Sequence, residues 1–202
     1  MPPPEPVHDH SKLSDAARVV VMGVSGCGKT TLAEALGATL DWHVLDADDL
    51  HPATNVAKMR EGTPLTDADR QPWLQAVGEA LIAPLTGSSG RVVACSALKL
   101  IYRDRIRQQA GPVIFLFLDG QPELIKQRMQ DRKGHYMQAG LLDSQLQTLE
   151  RPSADESDVI ALSINQAVSD LLENAMAKLV AYQEDALKHN SPFVQSHSLH
   201  KH

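Results

Sequence analysis

The most constraining feature of this sequence is the octapeptide GVSGCGKT at positions 23–30, which follows the apolar run Val19–Met22. The pattern GxxxxGK[ST] between an apolar strand and a helical segment predicts a phosphate-binding loop. Glycines accept positive φ, which lets successive N–H groups and a helix N-terminus approach an anion. The alternative is a glycine-rich turn without function, but the preceding strand and the helix-forming Thr31–Leu40 favour the phosphate loop.

The loop residues have distinct expected roles around a nucleoside triphosphate. Lys29 is expected to reach the β- and γ-phosphates, and the Thr30 hydroxyl to bind Mg²⁺, so the predicted cofactors are ATP and Mg²⁺. Cys27 has no required role in the loop, and its sensitivity to oxidation is a hypothesis. The residues expected to contact the nucleotide are Gly23, Val24, Ser25, Gly26, Cys27, Gly28, Lys29, Thr30 and Thr31.

Apolar, β-rich runs alternate with helical patterns along the chain. The predicted strands are Arg18–Met22, His43–Leu45, Arg91–Cys95, Val113–Leu118 and Val159–Ile164. Helical spacing occurs at Lys29–Leu40, Thr54–Arg60, Asp67–Leu85, Lys99–Gln109, Pro122–Arg132, Leu141–Leu149 and Gln166–Ala186. Strands that are apolar on both faces and linked by helices indicate a parallel sheet covered on each side. The predicted class is therefore α/β, a three-layer α/β/α P-loop NTPase fold with a five-stranded parallel sheet and a helical lid.

The 202 residues are expected to form one domain between two tails. Residues 1–16 are polar and rich in proline, so they are predicted to be a disordered N-terminal tail. Residues 17–187 form the predicted P-loop domain, with the lid at about 126–141. Residues 188–202 are predicted to be a flexible C-terminal tail.

Charge and hydropathy exclude several classes of protein. A formal net charge of −6 argues against a protein that neutralises nucleic-acid phosphates. The first twelve residues lack the patterns of signal and transit peptides, and no run of about 18 apolar residues could span a bilayer. Two cysteines are too few for a disulfide framework. We therefore expect a cytoplasmic protein without nucleic-acid or membrane partners.

Acidic residues follow the predicted second strand, where ligands of an open α/β sheet bind. Phosphoryl transfer to an alcohol needs a group that orients the hydroxyl and accepts its proton, and Asp48 is the predicted base. Asp46 is predicted to hold Mg²⁺ through water, because the third strand, VVACS, lacks the acidic residue of a common Walker B strand. Side-chain alternation would direct Asp46 and Asp48 to the same side. The alternative for these acids is helix capping or a solvated loop.

Two arginines mark the predicted lid. Arg128 and Arg132 are four residues apart and precede Gly134, so they share a helix face beside a candidate hinge. A closing lid would bring their charge to the transferred phosphoryl group and exclude water. The alternative is a solvated basic face balanced by Glu123 and Asp131. The residues expected to act in catalysis are Lys29, Asp48, Arg128 and Arg132.

The sequence resembles the gluconokinases, a P-loop family related to shikimate kinases and nucleoside-monophosphate kinases. The resemblance covers nearly all of residues 18–180. It rests on MGVSGCGKT, DADDLHPATNVAKMREGTPLTDADRQPWL, CSALKLIYRDRIR, RKGHYM and LQTLERPSADESDV. It implies ATP-dependent phosphorylation of D-gluconate at the C6 hydroxyl to give 6-phospho-D-gluconate. It also implies a homodimer, which related gluconokinases commonly form.

Gluconate carries a carboxylate and a row of hydroxyls, so its site should combine cations with hydrogen-bonding groups. Arg70 is expected at the acid end, by analogy with the carboxylate-binding arginine of shikimate kinases. Lys99 enters through the family's SALK pattern, and Arg132 matches the family's lid arginine best. The predicted substrate-binding residues are Asp48, His51, Lys58, Arg70 and Lys99.

Less specific interpretations stay open for several of these residues. Trp73 is more often a core residue than a sugar platform, His51 can cap a turn, and Lys58 can lie on a solvated helix face. Kinases for shikimate, a nucleotide or another sugar acid would share the fold. A nucleotide-binding switch is the rival from another class, although it would not need an acceptor pocket. Metal binding by the C-terminal histidines lacks fixed spacing on a rigid element.

Overall fold

The computed structural model describes Leu13 and residues 17–84, 90–131 and 139–188. Five parallel strands form a sheet in the order β2-β3-β1-β4-β5. The strands are β1 (Arg18–Met22), β2 (His43–Asp46), β3 (Arg91–Cys95), β4 (Ile114–Asp119) and β5 (Val159–Ser163). The predicted α/β class and the five-stranded parallel sheet are confirmed.

Helices cover both faces of the sheet. They are α1 (Lys29–Leu40), α2 (Ala53–Arg60), α3 (Asp67–Ile82), α4 (Leu100–Ala110), α5 (Pro122–Asp131), α6 (Ala139–Thr148) and α7 (Val168–Lys188), and a short 3-10 helix spans Ala47–Leu50. Side chains alternate along β1, so Val19 and Val21 join a core with residues of α1 and α7. Val20 and Met22 face the opposite core, which contains residues of α3 and α4. The three-layer arrangement follows from this alternation.

Strand β1 lies between β3 and β4, and its last four residues are buried. A strand paired on both edges and covered on both faces must be apolar throughout, which accounts for the run Val19–Met22. The loop that follows β1 therefore leaves the sheet at its centre, beside the ends of β3 and β4.

Several predicted boundaries differ from the observed ones by one or more residues, and two of the differences have clear local reasons. Strand β2 extends to Asp46, after which the chain turns into the 3-10 helix that the sequence pattern did not predict. Helix α3 ends at Ile82 rather than at the predicted Leu85. Ala83 adopts φ −57° and ψ 141°, an extended conformation typical of a residue before proline, here Pro84.

The predicted tails and the central part of the predicted lid fall largely outside the described residues. Leu13 is described, and it packs into the core that contains α1 and α7, with 8% of its surface exposed. Among the described helices, none combines the length and the apolar character that a bilayer-spanning segment requires.

Candidate active site

The loop 23–30 has the backbone of a phosphate cradle. Gly23, Gly26 and Gly28 adopt positive φ values of 145°, 82° and 103°. A side chain at Gly26 would place Cβ 2.5 Å from Cγ of Met129, so helix α5 can pack against the loop only because this residue is glycine. Gly28 is the N-cap of α1 and has no side chain that could cap the helix. The first amides of α1 are thus suited to an anion.

Two hydrogen bonds within the protein occupy polar groups of this loop. The Ser25 amide donates a hydrogen bond to Oε1 of Gln145 on α6 at 2.6 Å. The Lys29 ammonium donates to the Val24 carbonyl oxygen at 3.1 Å. Sequence reasoning missed Gln145, because a glutamine in a helix 120 residues away carries no signal that it contacts the loop.

The loop is joined to the residues after β2 through Asp46. The Thr30 hydroxyl donates to Oδ2 of Asp46 at 3.0 Å, and the Asp48 amide donates to Oδ1 of Asp46 at 3.0 Å. Asp46 is the N-cap of the 3-10 helix, so it caps a helix and also contacts the loop. The predicted strand alternation does not apply, because the strand ends at Asp46. The two acids are brought together by the turn instead.

The surroundings of the Asp48 carboxyl shift its pKa upwards. Desolvation raises the pKa of its carboxyl above the ordinary value, and the neighbouring Asp46 charge raises it further. The Lys29 ammonium and His51 act in the opposite direction but do not cancel these effects. A raised carboxyl pKa lies closer to physiological pH, which favours proton transfer.

His51 stacks on Trp73 at the start of the acceptor side. The two rings have a centroid separation of 4.4 Å and an interplanar angle of 12°. Trp73 is 2% exposed and donates its indole N–H to the Ala47 carbonyl oxygen at 2.7 Å. Trp73 is therefore a core residue, and its hydrogen bond fixes the turn that carries Asp48. Desolvation lowers the pKa of His51, which favours a neutral ring at pH 7.

A second group of side chains surrounds Asp67. The Lys99 ammonium contacts both carboxylate oxygens of Asp67 at 2.8 Å, and the Tyr102 hydroxyl donates to Oδ1 of the same residue. These hydrogen bonds lower the pKa of Asp67. The Arg70 guanidinium lies 5.7 Å from the centroid of the Tyr102 ring, and Lys99 Nζ lies 5.6 Å from it. Tyr102 therefore has Arg70 and Lys99 near its ring and Asp67 at its hydroxyl.

Arg70 differs from the lysines in its partners. Its Nη1 donates to the Leu65 carbonyl oxygen and, at 3.4 Å, to that of Thr66, and neither carbonyl carries a net charge. Lys58, in contrast, pairs with Asp69 at 2.7 Å. Hydrogen bonds from Lys58 and Thr66 lower the pKa of Asp69 to about 2.

The two predicted lid arginines have different outcomes. Arg128, on α5, donates from Nη2 to the Ile164 carbonyl oxygen at 2.7 Å. Its charge opposes, as the smallest of several influences, the rise that burial causes in the pKa of the Cys27 thiol in the phosphate loop. Arg132 and Gly134 lie outside the described residues.

Cys27, a residue of the phosphate loop, is fully buried. Burial raises the pKa of its thiol, which disfavours the reactive thiolate. The structure therefore does not favour the hypothesis of oxidation sensitivity.

A cavity of about 260 Å³ lies beside the phosphate loop, and neither Asp48 nor Arg70 lines it. Arg151 borders it and pairs with Asp119 through two contacts of 2.9 and 2.8 Å. The cavity is lined by Val24, Phe117, Leu118, Asp119, Gly120, Pro122, Ile125, Leu146, Leu149 and Arg151.

Comparison with known proteins agrees with this arrangement. Residues 19–152 match the family model described as an AAA domain. The thermosensitive gluconokinase of Escherichia coli (strain K12) is 41% identical over 168 residues, which cover 83% of this chain and 90% of that protein. The gluconokinase of Gluconobacter oxydans (strain 621H) is 49% identical over 138 residues, which cover 68% and 78% of the two chains.

A solved structure gives the same result. The crystal structure of a gluconokinase from Sinorhizobium meliloti 1021 superposes with a TM-score of 0.77 at 40% sequence identity. The match covers 88% of this chain and 99% of that one. The phosphate loop, the parallel sheet and these relatives together show that the chain belongs to the gluconokinase family of P-loop kinases.

Proposed function

We propose that this protein transfers the γ-phosphoryl group of ATP to the C6 hydroxyl of D-gluconate, giving 6-phospho-D-gluconate and ADP. The observation that carries the proposal is that the Asp46 carboxylate accepts hydrogen bonds from both the Thr30 hydroxyl and the Asp48 amide. These contacts hold a candidate proton acceptor beside a phosphate-binding loop. The relatives named gluconokinase support gluconate as the acceptor.

The residues around the loop suit Mg²⁺ as well as phosphate. The Thr30 hydroxyl and the Asp46 carboxylate supply the hard oxygen ligands that Mg²⁺ prefers, with Asp46 acting through water. The ion, when bound, would neutralise charge on the phosphate oxygens. The Lys29 ammonium would exchange the Val24 carbonyl for a phosphate oxygen.

Asp48 would orient the C6 hydroxyl and accept its proton. As the bond forms between the hydroxyl oxygen and the γ-phosphorus, the bond from that phosphorus to the β–γ bridging oxygen breaks and ADP leaves. The hydroxyl proton passes to the Asp48 carboxylate. His51, held against Trp73, would form the wall of the acceptor site beside Asp48.

Arg70 is the preferred partner of the gluconate carboxylate. A guanidinium matches a carboxylate with two parallel hydrogen bonds. The present partners of Arg70 are neutral carbonyls, whereas Lys58 and Lys99 are paired with Asp69 and Asp67. The two lysines would bind hydroxyls as positioned donors, while Arg70 supplies the charge.

The proposal extends to the lid, the assembly and the compartment. Arg128 and Arg132 would bring positive charge to the transferred phosphoryl group when the lid closes. A homodimer is proposed from the family resemblance alone. Cytoplasmic location is supported by Cys27 and Cys95, which are both buried free thiols, as expected in a reducing compartment.

The test is an ADP-release assay with Mg-ATP and a panel of gluconate, shikimate, glucose, glycerate and nucleoside monophosphates. Rapid turnover with gluconate alone is the expected result, and ³¹P coupling to the C6 protons of the product would establish the position. Turnover with another acceptor and none with gluconate would overturn the choice of substrate. ADP release without a phosphorylated acceptor would favour the nucleotide switch.

A further inference from the structure

Arg103 is a buried cation behind the acceptor side. It is 1% exposed, although it belongs to a residue type that is rarely buried. Its Nε and Nη2 donate to Oε2 and Oε1 of Glu156, both at 2.6 Å. Burial would raise the pKa of Glu156, but the hydrogen bonds from Arg103 and Arg107 lower it to about 2. The bidentate pair thus satisfies one side of the guanidinium.

The other side of the guanidinium binds backbone carbonyls of the loop after β3. Nη1 of Arg103 donates to the carbonyl oxygens of Ala97 and Leu98, both at 3.3 Å, and to that of Glu150 at 3.2 Å. One nitrogen therefore connects the loop 96–99 to the segment after α6. Without Arg103 the buried carbonyl of Ala97 would lose this donor, which is costly, whereas the Leu98 carbonyl would keep the Glu150 amide.

The loop 96–99 is held in an unfavourable conformation. Ala97 has φ 41°, in the left-handed region that alanine rarely adopts. Such a conformation persists only when the surrounding structure fixes it. The loop also joins the two halves of the site, because the Ser96 carbonyl accepts from the Gly23 amide at 3.3 Å and Lys99 contacts Asp67.

Glu150 provides a second anchor for the same loop. Its amide donates to the Leu98 carbonyl oxygen at 2.9 Å, and its carboxylate accepts from the Leu100 amide at 2.7 Å. The second contact satisfies a free amide at the start of α4. Arg103 and Glu150 therefore fix the backbone on both sides of Lys99.

We propose that Arg103 is a positioning residue of the acceptor site, which holds the loop 96–99 so that Lys99 is presented to the substrate. This inference rests on the proposed function and assigns a role to a residue that does not touch the substrate. The proposed role requires the planar guanidinium of arginine, whose several N–H groups donate in different directions. A lysine could keep one contact to Glu156 but could not bind the carbonyls of the loop at the same time.

Arg103→Lys and the matched control Arg107→Lys test the proposal. Arg107 also binds Glu156, at 2.9 Å, but its guanidinium donates to the side chains of Glu156, Asp158 and Asp104 rather than to the loop carbonyls. We expect Arg103→Lys to raise KM for gluconate about tenfold, because misplacement of a binding group weakens acceptor binding, with KM for ATP changed less than about twofold. Arg107→Lys should leave both KM values within about twofold. Equal effects of the two variants on gluconate KM would overturn the proposal.

Amide hydrogen exchange supplies a readout that needs no acceptor. In Arg103→Lys the peptide covering residues 96–103 should exchange faster than in the wild type and in Arg107→Lys, and unchanged exchange would overturn the proposal. If the wild type fails to phosphorylate gluconate, the proposed function falls while this measurement still decides the role of Arg103.

A second variant covers the case in which Arg103→Lys does not fold. Glu150→Ala removes the carboxylate that accepts from the Leu100 amide and leaves the pair of Arg103 and Glu156 in place. It should produce the same selective rise in gluconate KM and the same faster exchange. An unchanged gluconate KM together with unchanged exchange in this variant would contradict the proposed positioning of the loop.

Discussion

The side-chain oxygen Oε1 of Gln145 accepts a hydrogen bond from the Ser25 amide at 2.6 Å, although the two residues are 120 positions apart. The amide belongs to the phosphate loop, and the glutamine belongs to helix α6, which begins within the predicted lid. Phosphate oxygens and Gln145 would therefore compete for the same N–H group.

Removal of this competitor should strengthen nucleotide binding. A hydrogen bond contributes a net 0.5–1.5 kcal/mol, so Gln145→Ala should lower the Kd for ATP by about two- to tenfold, measured by calorimetry without acceptor. Gln147→Ala is the control, because Gln147 is an exposed residue of the same helix. Weaker ATP binding by Gln145→Ala would show that the contact supports the loop instead of competing with phosphate.

The catalytic assignments predict a contrast between adjacent acids. Asp48→Asn should reduce kcat by about 10²- to 10⁴-fold, because general base catalysis typically contributes that much. Lys29→Met should reduce kcat at least about a hundredfold through loss of charge at the phosphates. Asp49→Asn, one residue away in the same 3-10 helix, is the control and should retain kcat within about twofold. Equal losses in the two asparagine variants would exclude a specific role for Asp48.

The raised pKa of Asp48 predicts the acidic limb of the pH profile. A base must be deprotonated, so kcat/KM should fall as pH falls through this pKa, which lies above that of an ordinary aspartate. Asp46→Asn removes a charge that raises the Asp48 pKa, so the limb should move to lower pH even where the rate itself declines. A limb that stays in place in Asp46→Asn would assign the titration to another group.

Arg70 should distinguish charged from neutral acceptors. The wild type should prefer gluconate to gluconamide, and Arg70→Gln should remove most of that preference by raising KM for gluconate about tenfold or more. The KM for gluconamide is the internal control and should change little. Undiminished preference in the variant would place the carboxylate at Lys58 or Lys99.

The buried pair of Arg103 and Glu156 predicts acid sensitivity. The pKa of Glu156 is lowered from 4.5 to about 2, so its contribution to stability is complete above pH 4.5 and is lost as pH falls towards 2. Glu156→Gln should lower the free energy of unfolding by about 3 kcal/mol at pH 7, because it leaves buried charge on Arg103. The difference between variant and wild type should shrink below pH 4.5, as denaturant titrations at several pH values would show. A constant difference would mean that the ion pair is not its source.

The sequence predicted those secondary-structure elements that are determined by residues adjacent along the chain. Strand β1 and helix α1 have the predicted bounds because the valine run and the loop are local patterns. The contact of Thr30 with Asp46 could be anticipated only in outline, since the strand order brings the end of β2 within reach of α1.

The partners of the charged residues could not be predicted. Lys99 pairs with Asp67, which is 32 positions away, and Arg103 is buried against Glu156, which is 53 positions away. Charged residues are usually exposed, so a sequence pattern gives no sign that a particular arginine is inside. Such pairings depend on how the helices pack over the sheet, which local spacing does not specify.

The hydrogen bond from Trp73 to the Ala47 carbonyl ties acceptor preference to folding. The wall behind His51 is the same indole that fills the core under α3. A substitution of Trp73 is therefore expected to lower the stability of the fold as well as to alter the acceptor site. A change of acceptor preference is therefore expected to come from substitutions at His51 and Arg70 rather than at Trp73, because Trp73 also supports the core.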